Sequence, residues 1–194
     1  MILEEQLPRS SAPGLNERLH LLKNAAVERH QNGELDAADL IYAEILNIDA
    51  DNLLAIQLRG LLALQTKEYV KAIKLFSRAL VLRPESADIY NNRSTAFYGV
   101  GKLMEALEDT NEAISLAPQY AEAHYNRGIV MQDLGDLKAA YANFEEAVKC
   151  KPDYYNAYNN RGIILYKLGN PQSAISDYSA AISLKSNYGE AYNN

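Results

Sequence analysis

The chain of 194 residues has no tryptophan, one cysteine, three histidines, three phenylalanines and six prolines. A single thiol, Cys150, cannot close an internal disulfide, which excludes a small disulfide-stapled fold. The longest apolar runs, such as Leu61 to Leu64, fall far short of the roughly 20 residues a membrane-spanning helix needs, so no membrane span is expected. Basic charge is also short: 19 Lys and Arg stand against 25 Asp and Glu, a net charge of -6, and no general excess exists to neutralise a nucleic-acid backbone. Nucleic acid is therefore not an expected partner. The opening MILEEQLPRSS carries acids where a secretory signal would be positive and has no long apolar stretch after them, so a cytoplasmic protein is expected.

Chemistry-bearing patterns are equally scarce. His20, His30 and His124 include no pair at the i, i+4 spacing of a helical metal site, and no Ser, Cys or carboxylate stands in a recognisable nucleophile arrangement with them. Neither a catalytic site, a cofactor nor a metal is expected in this stretch of chain. His124 falls at an aromatic packing position, and Cys150 falls where other copies of the repeat carry Ile48, Leu82, Leu116 and Leu184, so a small buried hydrophobe is expected there.

What is present in quantity is self-similarity. The segments YNNRSTAFYGVG, HYNRGIVMQDLG and YNNRGIILYKLG begin at Tyr90, His124 and Tyr158, each 34 residues after the last. A fixed period of that size marks stacked supersecondary units. Extending the frame gives an N-terminal segment 1–18, five repeats at 19–52, 53–86, 87–120, 121–154 and 155–188, and the start of a sixth, truncated repeat at 189–194. Position 20 of the frame is always alanine: Ala38, Ala72, Ala106, Ala140 and Ala174. Position 8 is always small, with Ala26, Gly60, Ser94, Gly128 and Gly162, whereas position 24 supplies Tyr42, Phe76, Thr110, Phe144 and Tyr178. Small residues facing bulky ones suit interdigitating helices. Gly33, Gly101, Gly135 and Gly169 share position 15, a place for a left-handed helix terminus, with Lys67 the exception. Pro84, Pro118 and Pro152 follow the second helix, and Asn170 before Pro171 reads as an N-cap followed by a first-turn proline. First helices are thus predicted at positions 2 to 14 and second helices at 18 to 31.

These residues resemble the tetratricopeptide repeat family, over residues 19 to 194. The family's usual Trp is replaced by Leu22, Ile56, Tyr90, His124 and Tyr158, and its usual Leu at position 7 by Arg59, Arg93, Arg127 and Arg161. The resemblance implies an all-α, right-handed superhelical solenoid of antiparallel helix pairs whose first helices line a concave groove. It further implies a protein-interaction scaffold that receives an extended peptide or a partner helix. A ladder of amides, Asn24, Asn92, Asn126, Asn160 and Asn194, recurs at one position of the frame, with Leu58 interrupting it. By the resemblance these side chains lie along the groove, where an amide can pair with the backbone of a bound peptide. Asn91, Tyr98, Tyr125, Asn156, Asn159 and Tyr166 occupy neighbouring groove positions. A competing reading has the amides bonding only within their repeats or to water.

Other expectations follow from the repeats. Asp109 and Asp177 at position 23 are placed to pair with Arg93 and Arg161, whereas Arg59 and Arg127 face Leu75 and Asn143. No Lys-x-x-x-Asn occurs, which speaks against the family's clamp for C-terminal carboxylates. Repeat 2 carries a net +4 while repeat 1 carries -5, and the basic block Lys67, Lys71, Lys74, Arg78 and Arg83 reads as a solvated face or as a dock for an acidic partner. The NNRG-like ladder also resembles the recruiting arm of O-linked N-acetylglucosamine transferases and their bacterial relatives, so a catalytic domain beyond residue 194 is a rival expectation. Self-association through an uncapped C-terminal end is a further one.

Overall fold

The structure is a computed structural model describing residues 14–185. The sixth repeat expected at 189–194, with Asn194, and residues 1–13 of the N-terminal segment lie outside the described residues. Ten helices and no strand occur among the described residues: α1 Leu15–Gln31, α2 Leu35–Ile48, α3 Leu53–Gln65, α4 Tyr69–Leu82, α5 Ala87–Gly99, α6 Leu103–Leu116, α7 Ala121–Asp133, α8 Leu137–Cys150, α9 Tyr155–Lys167 and α10 Pro171–Leu184. From α2 onward each helix starts one residue earlier than the sequence predicts. Position 16 is the N-cap, as Asn170 shows by accepting a bond from the Ser173 N–H at 3.3 Å, so the helix opens at position 17 with Pro171. The first helix begins at Leu15, inside the segment expected to precede the repeats. No described helix is long and apolar enough to cross a membrane.

Every turn between the helices of a pair is built the same way. Gly33, Gly101, Gly135 and Gly169 have φ of 78°, 75°, 86° and 80°, and Lys67 takes φ 60° in the same place. The residue after each returns its N–H to the carbonyl five positions back, as in Asp136 to Met131 at 3.0 Å and Glu68 to Ala63 at 2.7 Å, which closes the helix end in a Schellman-type motif.

The chain divides into two compact units, the first ending at Leu58 and the second starting at Arg59. In the first, α1 packs on α2 around Ala26, Ala38, Tyr42 and Ile45, all buried. In the second, successive helices pack from α4 to α10, making an all-α helical-repeat solenoid. Its core repeats one contact: Ala72, Ala106, Ala140 and Ala174 are buried where second helices meet first ones, and Phe76, Thr110, Phe144 and Tyr178 fill the space left by Gly60, Ser94, Gly128 and Gly162. A Cβ at Gly128 would stand 2.6 Å from the Phe144 ring, so only glycine fits at this approach. Cys150, the last residue of α8, is half-buried rather than buried, and Leu82, Leu116 and Leu184, the last residues of α4, α6 and α10, are exposed at the same position of the frame.

Candidate protein-interaction face

Short turns make each second helix run back along its first, so α5, α7 and α9 come to lie side by side within the second unit, and α5 touches α7 directly. Hydrogen bonds sew these helices together. Asn126 of α7 donates to Asn91 Oδ1 of α5 at 2.9 Å and to Thr95 Oγ1 at 3.3 Å. Asn160 of α9 donates to the Tyr125 hydroxyl of α7 at 3.1 Å, and the Tyr98 hydroxyl donates to Asp133 at 2.7 Å. All but the Thr95 bond join residues 35 apart, one position off the repeat period. The seam therefore runs diagonally from each repeat to the next.

This arrangement sorts the predicted residues. Asn91 and Asn159 are buried, 5% and 1% exposed, so their side chains lie inside the stack. Asn91 also donates to the Tyr120 hydroxyl at 3.4 Å. Asn92, Asn126, Asn156 and Asn160 are half-buried, while Tyr98 and Tyr166 are exposed. Tyr125 is half-buried and packs its ring against Phe144 and Tyr154, with centroids 5.7 and 4.9 Å away. Asn24 is exposed in the first unit, where its amide nitrogen lies 3.1 Å from His20 Nε2.

Between α5 and α7 a cleft of about 200 Å³ is lined by Ser94, Thr95, Tyr98, Asn126, Ile129 and Val130. Sequence reading missed Thr95, Ile129, Val130 and Asp133. The signal was there: 126, 129, 130 and 133 follow the three- and four-residue steps of one helix face. The bond to Asp133, then burial, pushes the Tyr98 phenol up to about 12, so Tyr98 is a neutral donor across the ordinary pH range.

The arginines at position 7 have separate fates. Arg93 grips Asp109 through two bonds of 2.8 and 2.7 Å and reaches Ser77 at 3.1 Å, and Arg161 grips Asp177 through two bonds of 2.7 Å. Arg127 has amides in place of a carboxylate: it donates to Asn143 Oδ1 at 2.6 Å and Asn111 Oδ1 at 3.1 Å. Burial accordingly pulls the Arg127 guanidinium below its usual pKa, whereas the bonds to Asp109 and Asp177 raise those of Arg93 and Arg161. His124 is buried and bonds through Nε2 to the Pro118 carbonyl at 2.8 Å, a packing role. Among the described residues no group of three or more His, Cys, Asp or Glu could hold a metal ion.

Comparison with known proteins agrees with this architecture. The tetratricopeptide repeat family model matches residues 155–188, and a second TPR repeat model matches 96–135 and 132–169. Tetratricopeptide repeat protein 36 of Xenopus tropicalis is 42% identical over 53 residues, a stretch covering 27% of this chain and 26% of that protein. The match thus spans about a quarter of the relative's length. Among solved structures, MamA from Desulfovibrio magneticus RS-1 is similar with a TM-score of 0.78 at 16% identity, over 91% of this chain and 99% of that one. The pilF protein of Pseudomonas aeruginosa gives 0.80 at 19% identity, over 92% and 82%. YrrB, a TPR protein with an unusual peptide-binding site, gives 0.70 at 20% identity, over 94% and 98%.

Proposed function

We propose that this chain, which belongs to the tetratricopeptide repeat family, is a protein-interaction scaffold that receives an extended segment of a partner along the face formed by α5, α7 and α9. The observation that carries the reading is the diagonal seam beside the cleft between α5 and α7. Asn126 spends its amide hydrogens on Asn91 and Thr95, which fixes the side chain and leaves its carbonyl oxygen as the acceptor for a partner's backbone N–H. Side chains already held in place lose little freedom when a partner arrives. Tyr98 and Tyr166 add exposed aromatic surface beside them, suited to apolar side chains that alternate with the bonded backbone.

The test is selection of binders from a random peptide library, followed by calorimetry on the protein and two variants. Thr95→Arg, at an exposed position, fills the cleft without touching the core. Tyr98→Ala removes its wall. Each is expected to weaken the selected peptides about tenfold or more, a loss of about 1.4 kcal/mol, with unchanged helicity. Peptides that bind Thr95→Arg as well as the parent would place the interaction elsewhere.

A further inference from the structure

A second, wider cleft of about 670 Å³ opens in the same unit, away from the seam. It lies between the end of α3, the start of α4 and the turn after α5, where Arg59, Lys67, Lys71 and Lys74 surround Tyr69 and Val100. One carboxylate, Glu68, stands among four cations, and it takes the Lys71 ammonium at 3.3 Å. Lys67 and Lys74, both exposed, add charge that Glu68 does not offset. It is a basic site on a chain whose net charge is -6. The walls are apolar, including Val70 at 61% exposure, Val100 at 37% and half-buried Leu75.

The backbone makes the site more distinct. Lys67 adopts φ 60° where the other four repeats place glycines, a conformation that costs an L side chain energy and that glycine takes without it. Strain of this kind, held where a rarer residue adds charge, points from an observed outlier to a use for the side chain. The corresponding place in repeat 5 has a different character: Asp177 closes on Arg161, and Asn170 and Ser173 stand where repeat 2 has Glu68 and Lys71. Repeat 2 puts Leu75 at the position of Asp177. The slot thus trades a carboxylate of its own for an apolar floor.

We propose that this cleft docks an acidic amphipathic segment of a partner protein, its carboxylates meeting Lys67 and Lys74 and its apolar side chains lying against Val70, Leu75 and Val100. Charge complementarity selects the sign of the segment, and the apolar walls distinguish it from a simple anion or a nucleic-acid backbone, which would leave them uncovered. The site shares no residue with the cleft between α5 and α7, so it stands or falls independently of the function proposed there.

The experiment uses a fluorescein-labelled amphipathic helical peptide made of Glu and Leu, a poly-glutamate of equal length and a single-stranded oligonucleotide, with binding followed by anisotropy at several salt concentrations. The Glu-Leu peptide is expected to bind about tenfold more tightly than poly-glutamate, and binding should weaken as salt screens the lysines. The double variant Lys67→Glu, Lys74→Glu and the separate variant Val70→Asp should each lose about tenfold or more. Lys67→Gly should lose affinity while raising the melting temperature, because it releases the strained φ. Equal binding by the charge-reversed variant, or poly-glutamate or oligonucleotide binding as tightly as the Glu-Leu peptide, would overturn the proposal. So would self-association of the parent protein that the charge reversal abolishes, since the occupant would then be a second copy. Circular dichroism of each variant, all substituted at exposed positions, separates loss of binding from loss of fold.

Discussion

Adding one methyl group at Gly128 tests the contact on which the repeat depends. A Cβ there would lie 2.6, 2.8 and 3.0 Å from Cε1, Cδ1 and Cζ of Phe144. The ring is fully buried and packs with Ala140, Ile164 and Tyr125, so it cannot swing aside without displacing them. Two terms oppose each other. Alanine in place of a mid-helix glycine gains about 1 kcal/mol of helix propensity. Overpacking costs about 1–3 kcal/mol, and a contact well inside van der Waals distance belongs in the upper part of that range. Gly128→Ala is therefore expected to destabilise by about 1–2 kcal/mol, seen as a lower urea midpoint with an unchanged slope. In a Phe144→Leu background the clash is relieved, the propensity gain remains, and the same change should stabilise. The double-mutant cycle should then give a coupling of at least about 1 kcal/mol. Repeat 1 has a Cβ at this position, since Ala26 packs in the unit that buries Tyr42. If Gly128→Ala proves at least as stable as the parent while Phe144 is intact, the reasoning that this approach requires glycine is wrong.

Breaking the pair between Arg93 and Asp109 by Asp109→Ala leaves a guanidinium whose side chain is only 20% exposed without its carboxylate, and should cost about 3–5 kcal/mol in urea unfolding. Asn143→Ala, which removes a neutral acceptor from Arg127, should cost only about 1–3 kcal/mol in the same assay. Asp133→Asn should lower the Tyr98 pKa from about 12, seen as a difference between the ultraviolet titrations of variant and parent. Because folding raises the Tyr98 pKa, the associated stability is present below the ordinary tyrosine value of about 10 and is lost as pH rises through about 12.

The repeat frame was legible because its constraints are steric and local. An alanine at every position 20, a small residue at every position 8 and glycines at position 15 announce close helices and left-handed turns, and the structure has both. Lys67 looked like a break in the rule, yet the turn is unchanged, since the bonds from Lys67 to Leu64 and from Glu68 to Ala63 hold the backbone whatever side chain it bears. The proposed interaction face was less legible. Reading down the 34-residue period aligns Asn92 with Asn126 and Asn160, but Asn126 meets Asn91, and Asn160 meets Tyr125, one position off the frame. Periodicity identifies equivalent residues. Which of two adjacent amides is buried depends on the rotation of each helix against the next repeat, and that is a property of the assembled stack. Asn91 at 5% exposure beside half-buried Asn92 is the result.

The two recurring contacts within a repeat respond differently to substitution, and the difference shows where new chemistry can enter. Positions 8 and 24 are bound together by volume: glycine faces Phe76, Phe144 or Tyr178, whereas the one β-branched partner, Thr110, goes with Ser94. Repeat 1 joins Ala26 to the same frame as Tyr42, so a Cβ is housed there, but where glycine faces a ring an overlap in a close-packed interior costs energy. Positions 7 and 23 are less constrained, and in the four repeats with an arginine at position 7 the slot is occupied in three ways: by a carboxylate for Arg93 and Arg161, by an amide for Arg127, and by Leu75 in the repeat of Arg59. The amide version has an electrostatic cost, visible in the lowered pKa of the Arg127 guanidinium, yet α7 and α8 pack around the same buried Ala140 and Phe144 as their counterparts do. A slot that can lose its ion pair without losing the fold can also be opened. In repeat 2 the same register adds Lys67 and Lys74 around the apolar floor of Leu75.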